Sequence, residues 1–212
     1  MTSALFSPIA LRGLEISNRI LVSPMCQYSA ENGVPNDWHL VHLGGLSLSG
    51  AGMMTMEATG VEAQGRITPR CLGLYDDEQE QALDHVIRFC RRNGKAKIAL
   101  QLAHAGRKGS AALPWDGGAA LDPAAGGWPT ASSSDLPFAD GWPAPNPMSR
   151  VEMDRVLGAF VQAAERAARL DVDAIELHAA HGYLLSQFLS PIANHRDDDY
   201  GGGLENRMRY PL

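Results

Sequence analysis

The sequence predicts an α/β fold in which a parallel sheet is covered by helices. Short apolar runs alternate along the chain with longer segments whose apolar residues recur at helical spacing, and that alternation is the signature of strands joined by helical crossovers. The apolar run at 173–177 is followed at once by His178, His181 and Tyr183, side chains that can hydrogen-bond and move protons. Chemistry of this kind at the C-terminal end of a strand is how a (β/α)8 enzyme is organised.

Residues 1–19 read as a short cap leading into a first strand at 19–23, which Pro24 and Met25 end. Asp37 is placed to N-cap a helix over 38–48, and Gly50 and Gly52 break the pattern after it. A second apolar strand spans 53–58, and a loop with Gly60, Gly65 and Pro69 follows. Asp76 and Asp77 precede a helix at 78–92, with Leu83, Val86, Ile87 and Cys90 on one face. Asn93-Gly94 is expected to close it as a C-cap. A third strand is expected at 98–102. Residues 106–148 are rich in Gly, Pro, Ala and Ser and carry Trp115, Trp128 and Trp142. So long a connection is expected to be a capping or binding loop. The sequence SRVE from Ser149 forms a capping box for a helix to about Leu170, with Val156, Phe160, Ala163 and Ala167 on one face. The fourth strand is the run at 173–177.

Composition narrows the function. Net charge is 18 − 24 = −6, which gives no support to a nucleic-acid or anionic-membrane partner. No signal peptide or membrane-spanning apolar run is apparent. Cys26, Cys71 and Cys90 are odd in number and widely spaced, so they form neither a disulfide framework nor a zinc knuckle, and a reducing cytoplasm is the expected compartment. A complete (β/α)8 barrel takes roughly 250 residues. A chain of 212 residues with a long loop is too short for eight units.

His178 and His181 would lie on opposite faces if the strand continued. A turn at Ala179-Ala180 would bring both into one pocket, where two imidazoles could donate to one carbonyl oxygen and polarise a conjugated alkene. Satisfied histidines at a strand end, or a metal pair lacking an obvious third ligand, are the alternatives. Tyr183 could protonate a carbon that has become enolate-like, or simply pack at a helix start. Asp197-Asp198-Asp199 reads as a solvated loop rather than a metal cluster. Gly201-Gly202-Gly203 lacks the Lys-Ser/Thr of a phosphate loop.

The pattern HxxHxY from His178, followed by LLSQFLSP, an asparagine, an arginine, DxYGG and ENRxR, resembles the Old Yellow Enzyme family of FMN-dependent ene-reductases. Ser23-Pro24-Met25-Cys26-Gln27-Tyr28, Met56-Glu57-Ala58-Thr59 and the run QLAHAGR from Gln101 to Arg107 agree in order, so the resemblance spans residues 5–212. Cys26 with Tyr28 is similar to the bacterial branch with a cysteine beside the flavin. The family usually has Ser where Gly203 stands, a minor loss for a helix cap.

The resemblance implies a (β/α)8 TIM barrel, truncated here to about its first four βα units, with residues 106–148 as a capping loop within one domain. It implies FMN and NAD(P)H as cofactors and a small-molecule activated alkene, such as an enone, as substrate. Ser23, Pro24, Met25, Cys26, Ala58, Gln101 and His178 would contact the flavin, Gln101 along the pyrimidine edge. Tyr28 would line the substrate pocket, His178 and His181 would bind the carbonyl oxygen, and Tyr183 would donate the proton. It also places the main FMN phosphate grip in later units. The chain is therefore expected to be a fragment of a longer product or a truncated protein, and a non-catalytic half-barrel with weak or no flavin binding is the alternative. Ile175, Leu177, Leu184, Leu185 and Phe188 are expected to be exposed, favouring self-association, for which a homo-oligomer is one expected form.

Overall fold

The computed structural model describes residues 3–212. After a 3₁₀ turn at Ala4–Phe6, strands β1 (Ile9–Leu11) and β2 (Leu14–Ile16) pair as an antiparallel hairpin. Sequence reading missed this hairpin inside the expected cap, because strands of three residues leave no periodic signal. Its buried Ile16 packs with Met53 and Ala99, near the strand starts, so the hairpin closes the end of the sheet opposite the site.

Four strands then form one parallel sheet: β3 (Leu21–Val22), β4 (Met53–Gly60), β5 (Lys97–Ala103) and, after two short loop strands β6 (Ala131–Ser132) and β7 (Asn146–Pro147), β8 (Ala174–Leu177). The order is β3-β4-β5-β8, with Leu21 opposite Met53, Met54 opposite Ile98 and Leu100 opposite Ile175. Register shifts between Met56 and Thr59, and the irregularity re-aims the chain at Glu57 and Ala58.

Helices α1 (Asp37–Ser47), α2 (Asp77–Asn93) and α3 (Arg150–Arg169) supply the crossovers. Asn36, not Asp37, caps α1: its side chain accepts from Trp38 N, and His39 Nδ1 accepts from the Asn36 N–H in return. Asp37 is instead the first helical residue, where a carboxylate complements the helix dipole. Ser149 and Glu152 form the expected capping box on α3. Gly94 ends α2 in extended rather than left-handed backbone (φ −100°). Its glycine is required by proximity, since a Cβ there would lie 2.4 Å from the Ser47 carbonyl oxygen.

The main core lies between sheet and helices. Met54, Met56, Ile98, Leu100 and Leu102 from the strands meet Leu43 of α1, Leu83, Val86, Ile87 and Cys90 of α2, and Ala163 and Ala167 of α3. Burying each large side chain contributes roughly 1.5–3 kcal/mol. A second cluster corrects one expectation. Leu184 and Phe188 of α4 (Leu184–Leu189) are buried against Met148, Met153, Val156, Tyr200 and Tyr210, and Leu185 is buried as well. The covering residues come from the end of the long loop, from α3 and from the segment around α5 (Leu204–Met208). Ile175 and Leu177 do remain exposed, at 40% and 54%.

Candidate active site

Polar side chains converge beyond the C-terminal ends of the parallel strands. The backbone N–H of His178 still donates to Leu102, which extends the ladder one residue past β8. The chain then turns. His181 (φ 55°) and Gly182 (φ 73°) are both left-handed, Tyr183 N–H donates to Ala180 O, and Leu184 N–H donates to His104 O. This turn defeats the alternation of a strand and brings the rings together. The His178 and His181 centroids are 5.0 Å apart, and those of His178 and Tyr183 are 4.9 Å apart, both edge-to-face.

A pocket of about 110 Å³ is lined by Pro24, Cys26, Ala58, Ile67, Gln101, His178, His181 and Tyr183. Seven of these come from sequence expectation; Ile67, from the loop after β4, was missed. Ser23 and Met25 flank the turn after β3 and do not line the pocket, and Met25 is exposed. Tyr28 lies in an adjoining cavity of about 170 Å³ with Ile67, Lys108, Phe138 and Trp142. Among the described residues no group of three or more His, Cys, Asp or Glu is arranged to hold a metal ion.

Protonation states follow from the surroundings. Burial lowers the His178 pKa; His181 lowers it further, Glu176 opposes, and Lys108 again lowers it. His178 Nδ1 accepts from Ala180 N–H at 3.3 Å, so the proton of the neutral ring sits on Nε2. Burial pushes Tyr183 up to about 12, with Cys26 and Cys71 adding to it, so the phenol stays protonated at neutral pH. Burial likewise pushes Cys26 up to about 12, helped by Cys71 and Glu57. Cys26 is a thiol here, not a thiolate. The Gln101 amide donates to Glu176 Oε1 at 2.6 Å, which fixes its orientation on β5.

Three further residues shape the site. Glu57 is buried, accepts from the Gln27 N–H at 3.0 Å, and lies 3.3 Å from His39 Nε2. It pins the 23–28 turn from below. A lone carboxylate within an apolar strand was a legible signal for it. Arg107 donates to the carbonyls of Leu136 and Pro137, and Lys108 to that of His181; Arg107 closes the QLAHAGR run, whereas Lys108, a loop cation just past it, gave no sequence signal. The tryptophans divide between two roles. Trp128 anchors the loop to the rim through Gln64 O and Arg66, whereas Trp142 lines the cavity beside Tyr28 and Trp115 packs edge-on against Tyr28. Asp198 is held by Arg196 and caps the Tyr200 N–H, in keeping with a structured polar loop.

Apolar walls from Pro24, Ala58 and Ile67 beside an amide, two imidazoles and a phenol suit a flat heteroaromatic ring with a donor–acceptor edge. Fold and site together define the first part of a parallel α/β barrel, with its polar side chains gathered at the strand C-termini. The chain belongs to the NADH:flavin oxidoreductase / NADH oxidase family, whose sequence model matches residues 4–212. It is 44% identical over 215 residues to NADH:flavin oxidoreductase FG08077 of Gibberella zeae, covering 100% of this chain and 52% of that protein. It is 40% identical over 212 residues to the NADPH dehydrogenase of Geobacillus thermodenitrificans, covering 99% of this chain and 58% of the relative. Among solved structures, morphinone reductase in complex with tetrahydroNAD superposes with a TM-score of 0.84 at 29% identity, over 99% of this chain and 58% of that one. Old Yellow Enzyme from Pichia sp. AKU4542 gives 0.85 at 26% identity, over 98% and 54%. The chain thus spans about half the length of the relatives it matches, and its fold is that of the N-terminal part of a (β/α)8 barrel.

Proposed function

We propose that this chain carries the carbonyl-binding and proton-donating face of an FMN-dependent enzyme that reduces activated C=C bonds at the expense of NAD(P)H. The observation that carries the reading is the convergence of His178, His181 and Tyr183 on one pocket with Pro24, Cys26, Ala58 and Gln101. Bound FMN would supply a hydride taken from NAD(P)H. Pro24 and Ala58 would flank its ring, and Gln101 would meet its polar edge.

The side chains do the rest. His178, neutral with its proton on Nε2, donates to the carbonyl oxygen of an enone, and His181 donates beside it. Two donors held in a dry site stabilise negative charge developing on that oxygen, by roughly 3–4 kcal/mol each in comparable sites. The β-carbon becomes electrophilic in consequence. Tyr183 then gives its proton to the α-carbon. Its phenol suits the task because burial keeps it protonated until it faces a strongly basic carbon. Tyr28 and Trp142 line the path for the rest of the substrate, under the 106–148 segment as a capping loop. The cytoplasm is the proposed compartment, and a homo-oligomer the proposed assembly.

The two half-reactions separate the roles. In FMN-loaded protein, Tyr183→Phe is expected to slow alkene reduction by roughly 10²-fold or more and to leave flavin reduction by NAD(P)H nearly unchanged, as read by stopped-flow absorbance. Equal slowing of both steps, or of neither, would remove Tyr183 from the acid role.

A further inference from the structure

Lys108 joins three parts of the site. Its ammonium donates to the His181 carbonyl at 2.9 Å. It also lies 4.8 Å from the Tyr183 ring centroid and 4.9 Å from that of Phe138, so the cation stands between the two rings. Among the described residues it forms no ion pair with a carboxylate. The neighbouring Arg107 holds the carbonyls of Leu136 and Pro137, the residues just before Phe138. The turn that Lys108 grips carries two consecutive left-handed residues, His181 and Gly182. A non-glycine residue in that conformation persists only when its surroundings hold it.

We propose that Lys108 is a positioning residue: its ammonium locks the His181 turn and the Tyr183 ring, and draws the Phe138–Trp142 segment of the long loop down over them. What is positioned rests on the reading of His178, His181 and Tyr183 given above. The contact itself does not depend on that reading. A cation over two aromatic faces and on one carbonyl is stabilised by both quadrupoles and by the carbonyl dipole. Its charge also favours the neutral ring of His178. The groups facing His178 are His181 and Tyr183 on its own turn, Glu176 on β8, Gln101 on β5, Cys26 after β3 and Lys108. Among these Lys108 is the one fixed cation.

Two measurements on the 212-residue chain test this without flavin or substrate. NMR titration of the histidine rings, with His178 assigned by His178→Gln, reads the charge effect. Chymotrypsin cleavage after Phe138 reads closure of the loop. Lys108→Met keeps the aliphatic stem and removes the charge; Lys108→Arg keeps the charge, and far-UV circular dichroism confirms that both fold. In Lys108→Met the His178 midpoint should rise, and cleavage should be several-fold faster. Lys108→Arg should return both toward wild type. A His178 titration that overlays wild type in Lys108→Met overturns the proposal, even where cleavage accelerates, because Lys108 would then be a loop tether only. Unchanged cleavage overturns the coupling of loop to turn. Failure of alkene reduction alone touches neither readout, so the two readings fall separately.

Discussion

Glu57 shows how one residue can set the chemistry of its neighbours. It sits in a strand that is buried along its whole length, where an ionised group persists only with partners. Its partners are the Gln27 N–H and the edge of His39, the latter an electrostatic contact off the line of a hydrogen bond. The carboxylate also adds to the burial and the Cys71 contact that hold the Cys26 thiol protonated. Glu57→Gln keeps an acceptor for Gln27 and deletes the charge. It should lower the Cys26 pKa and speed alkylation by iodoacetamide at pH 9 several-fold, with Cys71 and Cys90 shielded by burial. An unchanged alkylation rate would show that the carboxylate does not act on this thiol.

Among the elements, α4 has the clearest energetic role. Phe188 is fully buried, packs with its ring tilted 45° against that of Tyr210 at 4.4 Å between centroids, and lies under the Arg196 guanidinium. It therefore ties the His-Tyr turn to α3 and to the last helix. Phe188→Ala should cost about 3–5 kcal/mol, visible as a lower urea midpoint; a loss below about 1 kcal/mol would mean that the cluster does not hold α4. The helices and long strands were legible in the sequence because caps and apolar periodicity are local. Asp76, Ser149 and the apolar face of α2 each announce themselves. The burial of Leu184, Leu185 and Phe188 was not legible, since their cover comes from segments tens of residues away. The pocket was legible through motif resemblance at Pro24, Cys26, Ala58, Gln101, His178, His181 and Tyr183. Ile67 enters it, and Lys108 enters the adjoining cavity, from loops, where no periodicity points to a neighbour.

At the scale of the whole molecule, the parallel sheet is open. β3 and β8 are edge strands, and Leu21, Ile175 and Leu177 on them are exposed. Unpaired edges with apolar side chains favour association, so gel filtration of the 212-residue chain should give a species larger than a monomer; a monodisperse monomer at high concentration would refute this. Stability should also depend on pH at both ends. Cys26 and Tyr183 are pushed up to about 12 in the fold, so their contribution is full below the ordinary Cys value of 9.0 and is lost as pH rises through the folded values. Burial pulls Glu62 upward, but hydrogen bonds from His104 and Arg155 outweigh it, and hydrogen bonds from Arg169 lower Glu80. Their contribution is present above the ordinary 4.5 and is lost as pH falls through the lowered values. Burial also lowers His178 and His42 below the ordinary 6.5, so stability falls once pH drops below that value, and urea midpoints should plateau between about pH 7 and 9; a midpoint still rising above pH 9 would contradict the assignment.

The proposed function requires that one cleft bring a flavin ring and the His178–His181 pair face to face around a carbonyl oxygen. It is tested most directly by the visible spectrum of the FMN-loaded protein during titration with a phenol such as 4-hydroxybenzaldehyde, whose phenolate oxygen mimics that of the substrate. A long-wavelength charge-transfer band should grow with ligand, and His178→Ala or His181→Ala should weaken ligand binding at least tenfold, since each removes a donor from a buried oxyanion. Absence of the band in the wild-type protein, or undiminished affinity in both single variants, would contradict the account.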